Sequence, residues 1–77
     1  MNLEEPLRRA LAFVDRLESR KIWHRLEVVR DALMVVVAVP GEYWEVEFFP
    51  DGHVEVERFR SNGVIEGPDV LRELFAD

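Results

Sequence analysis

The stretch WEVEFFPDGHVEVERF, residues 44–59, alternates apolar and acidic side chains on both sides of Pro50-Asp51-Gly52. A period of two marks a strand with two different faces. Proline followed by glycine in a three-residue loop is hairpin chemistry, with glycine at the left-handed position. Together these features fix a register. Phe49 falls opposite His53, Phe48 opposite Val54, Val46 opposite Val56 and Trp44 opposite Arg58. On the alternate positions Glu47 meets Glu55, Glu45 meets Glu57 and Tyr43 meets Phe59. A slip of one residue would turn every side chain to the other face. The hairpin therefore constrains how the rest of the chain can cover it.

The remaining elements follow from periodicity. Leu3, Leu7, Ala10, Leu11, Val14 and Leu17 recur at helical spacing and predict a helix over 3–20 with these residues as its core stripe. Asn2 is the expected cap, Glu5 completes a capping-box pattern, and Pro6 sits in the first turn. Strands are expected at 22–30, 33–39, 43–49 and 53–60, joined at Asp31-Ala32, Pro40-Gly41 and Pro50-Asp51-Gly52. Pro68 suits the first turn of a last helix over 68–75, with Val70, Leu71, Leu74 and Phe75 on its apolar side. The expected fold is α+β, in the order α-β-β-β-β-α. The N-terminal helix lies across a four-stranded antiparallel meander, and the C-terminal helix packs beside it or at the sheet edge. Seventy-seven residues allow one domain, 1–77.

Extending the hairpin register places Leu26, Val28, Leu33, Val35, Val37, Trp44, Val46 and Phe48 on one continuous apolar face, with His24 near its edge. The opposite face reads Trp23, Arg25, Glu27 and Val29, then Met34, Val36 and Ala38, then Tyr43, Glu45, Glu47 and Phe49, then Glu55, Glu57 and Phe59. Strand 33–39 is thus apolar on both sides, unlike a strand with one wet face. The C-terminal helix, a second copy of the chain or a partner is expected to cover part of it. Glu45–Glu57 and Glu47–Glu55 are like-charged pairs, each costing about 0.5 kcal/mol. Arg25, Arg60 or a partner's basic group would relieve them.

The net charge of −6 weighs against nucleic acid and against anionic membrane surfaces as partners. No apolar run is long enough to span a bilayer. The opening Met-Asn-Leu-Glu-Glu has no basic region ahead of an apolar stretch, so a cytoplasmic location is expected. Cysteine is absent, which leaves packing and oligomerisation to stabilise a small core. No cofactor motif, phosphate loop or nucleophile constellation is present, and no catalytic or metal-binding residue is assigned. A divalent ion held by His53 and the glutamates is the weaker reading, because strand spacing splays the groups. Paired carboxylates on an open face lack the two different environments that acid–base catalysis needs. His24 reads as a packed histidine near the helix.

The stretch VRDALMVVVAVPGEYWEVEFFPDGHVEVERFRSNGVI, residues 29–65, resembles a family of small uncharacterised bacterial proteins. The layout and acidity are also similar to those of immunity proteins, which neutralise bacterial toxins by covering them. The likeness is one of architecture; the expectation of a non-enzymatic interaction module, immunity- or antitoxin-like, that binds a basic protein partner rests on an acidic patch. The candidate patch is Glu45, Glu47, Glu55 and Glu57 with Tyr43, Phe49, Phe59, Trp23, Met34 and Val36. The alternative is a homodimer joined through this face or through the free edge of strand 53–60. A small enzyme or metal-binding protein comes third.

Overall fold

The computed structural model describes residues 2–75. The elements are helix α1 (Glu4–Ser19), strands β1 (Trp23–Val29), β2 (Ala32–Val39), β3 (Glu42–Phe48) and β4 (Val54–Arg60), and a 3-10 helix (Pro68–Phe75). The four strands form one antiparallel sheet in the order β1-β2-β3-β4. The expected α+β meander is what the chain forms.

Both ends of α1 are set locally. Asn2 Oδ1 accepts a hydrogen bond from the Glu4 N–H at 2.9 Å. The capping box stays open, because Glu5 turns to Arg8 at 3.2 Å instead of back to the cap. At the other end Ile22 N–H reaches Leu17 O and Lys21 N–H reaches Glu18 O, both at 3.0 Å. This is the paired closure that usually ends on a left-handed glycine. Here Lys21 holds that position, at φ 57°.

The β3–β4 hairpin adopts the register expected from the sequence, Phe48 opposite Val54 through Tyr43 opposite Phe59. Phe49 donates its N–H to His53 O at 3.1 Å, and Gly52 takes φ 97° in the loop. The first hairpin differs. Its turn is Arg30-Asp31, one residue earlier than Asp31-Ala32, and Arg30 carries the positive φ of 52°. Moving the turn by one residue shifts the pairing by two, so Val28 faces Leu33 and Leu26 faces Val35. An even shift leaves every side chain on its expected face.

The core joins Ala10 and Leu17 of α1 to Leu33, Val35, Val37, Val46 and Phe48 of the two central strands. Phe13 meets Phe48 with ring centroids 5.8 Å apart. The buried stripe of α1 therefore runs through Pro6, Ala10, Phe13, Val14 and Leu17. Leu7 and Leu11, expected in the core, lie on the rim and are exposed. The helix packs on β1, β2 and β3 and does not reach β4.

The C-terminal segment departs from expectation. Its 3-10 helix packs against no other helix or strand among the described residues. Ile65 is 99% exposed and Phe75 83%. The radius of gyration is 15.4 Å, against about 11.5 Å for a compact chain of this length.

Two stability measurements test this packing. Leu17→Ala should cost about 3 kcal/mol by cavity formation, and Leu11→Ala less than about 1 kcal/mol. Equal losses in chemical denaturation would contradict the position of the helix. Lys21→Gly should raise stability by about 0.5–1 kcal/mol, because glycine accepts the left-handed conformation that lysine is forced into. A lowered denaturation midpoint would show that Lys21 is not strained.

Candidate functional site

The face of the sheet opposite α1 has no described element over it. Strand register orders its side chains into four rows. The first is Trp23, Ala38, Tyr43 and Phe59; the second is Arg25, Val36, Glu45 and Glu57. The third is Glu27, Met34, Glu47 and Glu55. The fourth is Val29 and Ala32, continued by Phe49 and His53 at the hairpin end. All ten candidate residues read from the sequence lie on this one face. They are not equally available: Val36, on a central strand between Arg25 and Glu45 in its row, is buried. Met34 and Phe49 are half-buried, and Trp23 is 55% exposed.

The aromatic row is ordered. Tyr43 and Phe59 stack with centroids 4.8 Å apart and planes 28° from parallel. The Tyr43 hydroxyl donates to Glu45 Oε2 at 2.9 Å. That bond, with the charge of Glu45 beside it, raises the Tyr43 pKa above its ordinary value and keeps the phenol protonated. Arg25 stands 6.0 Å from the Trp23 ring.

The carboxylates are relieved differently from expectation. Arg25 pairs with Glu27 along its own strand, and Arg60 pairs with Glu42 at 3.5 Å. Neither cation reaches the four glutamates. The local cation is His53. Its Nδ1 lies against Asp51 Oδ1 and its Nε2 is 3.2 Å from Glu55 Oε2. An ionised carboxylate only accepts hydrogen bonds. Both ring nitrogens can donate at once only as the doubly protonated imidazolium. These two bonds raise the His53 pKa, and the backbone and side chain of His53 hold the Asp51 carboxyl below its ordinary value. The ring also stacks on Phe49, with centroids 4.2 Å apart. Glu47 and Glu57 have no cation beside them among the described residues.

The described residues contain no group of three or more His, Asp or Glu side chains spaced to hold a metal ion. His24 lies under the end of α1, half-buried, donating from Nδ1 to Ile22 O at 3.0 Å with Nε2 3.8 Å from Glu18. Trp44 packs at the margin of the core, gives its Nε1–H to Glu42 at 2.9 Å, and carries Arg58 4.9 Å from its ring. Among the described residues no helix is long and apolar enough to cross a membrane. Comparison with family models, with curated proteins and with solved structures finds no match for this chain.

The Asp51–His53–Glu55 group has a pH signature. The raised pKa of His53 contributes stability that is complete below the ordinary value of 6.5 and is lost as pH rises through its folded value. The depressed pKa of Asp51 contributes stability present above 3.8 and lost as pH falls below it. The hairpin tip is therefore held by both groups only between these limits. Asp51→Asn should lower the His53 pKa, followed by NMR titration of the ring. An unmoved pKa would show that the pair does not form in solution.

Proposed function

We propose that this protein is a non-enzymatic interaction module whose outer sheet face binds a basic protein partner, as an immunity protein covers the toxin it neutralises. The observation that carries the reading is that face itself: an aromatic row and a block of glutamates side by side, with no described element of the chain above them. Two physical features favour a cationic partner. Exposed aromatic rings accept guanidinium and ammonium groups on their faces. Carboxylates beside them can take the N–H donors of the same group in charge-assisted bonds. Glu47 and Glu57, with no internal cation, are the acceptors least committed to their own chain. A patch of this kind raises the association rate with a basic partner and sets its orientation. The likeness to immunity proteins is one of layout, which carries no function by itself. A bacterial, cytoplasmic setting belongs to the same proposal. Self-association is a second reading, favoured by the exposed apolar C-terminal segment.

A nona-arginine peptide serves as the probe. Its association rate, measured by stopped-flow tryptophan fluorescence at low salt, should fall about tenfold when Glu45, Glu47, Glu55 and Glu57 are all replaced by glutamine. The salt dependence should flatten with it. A control carrying Glu4→Gln, Glu5→Gln, Glu18→Gln and Glu66→Gln has the same net charge and should lose far less. Equal rates in the two variants would reduce the effect to net charge and end the proposal.

A further inference from the structure

Four arginines of this acidic chain, Arg9, Arg16, Arg20 and Arg58, lie on the helix side of the molecule. At 100° per residue, Arg9, Arg16 and Arg20 share one flank of the α1 helix line. That flank leans toward β3 and β4: Arg9 stands 6.0 Å from the Phe48 ring and bonds to the Gly52 carbonyl in the β3–β4 loop. Below it α1 stops short of β4. The result is a shelf, with Val54 and Val56 as its floor, the latter 56% exposed, and Arg58 at its far end. None of these four arginines has a carboxylate at ion-pair distance among the described residues. The one acid on the flank, Glu5, is already paired with Arg8 at 3.2 Å.

The C-terminal arm, residues 62–75, is the complement of this shelf. Its 3-10 helix puts Leu71, Leu74 and Phe75 into solvent. It carries Glu66, Asp69 and Glu73 against a single Arg72. The arm leaves the sheet at Arg60, where Ser61 N–H is tied to Gly41 O at 2.9 Å, and its 3-10 helix packs against no other helix or strand among the described residues. The opposite flank of α1 offers no equal seat. It too has exposed leucines, Leu7 and Leu11, but Glu4, Asp15 and Glu18 line it, and Glu18 faces His24 of β1. An acidic arm is repelled there and attracted at the arginine shelf.

We infer that two copies of this chain associate by exchanging C-terminal arms, the arm of each seating on the α1–β4 shelf of the other. The exchange is a closed two-fold contact, and arm exchange is a low-cost route to dimers. Arm and shelf together supply about 20 residues a side, the number found in interfaces of standard size. The dimer would also bury the flank of β4, which its own chain leaves open.

Sedimentation of the full chain at about 100 µM, above the micromolar constants at which interfaces of this size hold, should give twice the monomer mass. Leu71→Glu with Leu74→Glu should give a monomer, as should Val56→Glu. These positions are exposed and outside the core, so folding is expected to survive, and circular dichroism checks it. Charge reversal distinguishes exchange from docking within one chain. A shelf variant, Arg16→Glu with Arg20→Glu, and an arm variant, Glu66→Arg with Glu73→Arg, should each dimerise about tenfold more weakly. Mixed one to one, they should recover a heterodimer, since each arm then finds a shelf of opposite sign. A monomeric wild type overturns the inference. So does a dimer that survives the arm substitutions, or a mixture that fails to recover. Replacing the four outer-face glutamates by glutamine should leave the dimer intact, so this inference and the proposed partner binding can fail separately.

Discussion

A helix with its side chains is about 10 Å across, and a four-stranded sheet is about four times 4.8 Å wide. One helix on one sheet can therefore cover about half of one face. Most features of this molecule descend from that limit. The buried residues of the sheet lie on the central strands β2 and β3, Val35 above all, while α1 also touches the edge strand β1 and does not reach β4. The flanking strands keep exposed valines and leucines on the helix side: Leu26 and Val28 on β1, Val54 and Val56 on β4. No described element lies over the opposite face. The molecule is 15 Å thin in one direction and 44 Å long in another. A small chain without cysteine has few other ways to gain stability than by covering such surfaces.

The sheet was largely legible in the sequence because strand patterning is a matter of parity. Pro50-Asp51-Gly52 fixes the β3–β4 pairs outright, and the alternation carries the face assignment outward from there. Even the misplaced first turn, Arg30-Asp31 for Asp31-Ala32, did no harm to the faces, since a turn displaced by one residue moves the pairing by two. The helix had no such protection. Apolar residues at 3, 6, 7, 10, 11, 13, 14 and 17 spread over a broad arc of about 160° of its circumference. Periodicity then identifies a helix without choosing the centre of its stripe. Packing chose Pro6, Ala10 and Leu17 and brought in Phe13 through its contact with Phe48, leaving Leu7 and Leu11 at the rim.

Two further features lay beyond pattern reading for different reasons. His53 became the counter-ion of Asp51 and Glu55 because a three-residue loop brings three side chains two positions apart to one edge. The signal was present, as Asp-x-His-x-Glu on the face that the register predicts, but its meaning lies in rotamers that spacing does not specify. The C-terminal segment is the converse. Its apolar residues follow helical spacing, but the segment forms a 3-10 helix that buries none of them, and the pattern says nothing of what they meet. The expectation that it packs on its own domain fails, and its apolar residues stand in solvent.

The charge distribution gives the molecule a polarity that its net value hides. Around the sheet, carboxylates dominate the outer face, where Arg25 and His53 are already engaged by Glu27, Asp51 and Glu55. Arginines dominate the flank of α1 and the helix side of β4. A net charge of −6 therefore describes neither surface. Charges of opposite sign on opposite sides of so thin a body favour contacts in a fixed orientation and disfavour random association, because like surfaces repel when approached face to face. The same segregation makes the two open surfaces chemically distinct. The outer face suits a cation, and the arginine shelf suits an acidic apolar segment such as the arm. A chain with both can bind a partner on one side while engaging a copy of itself on the other, without either contact competing for the same residues.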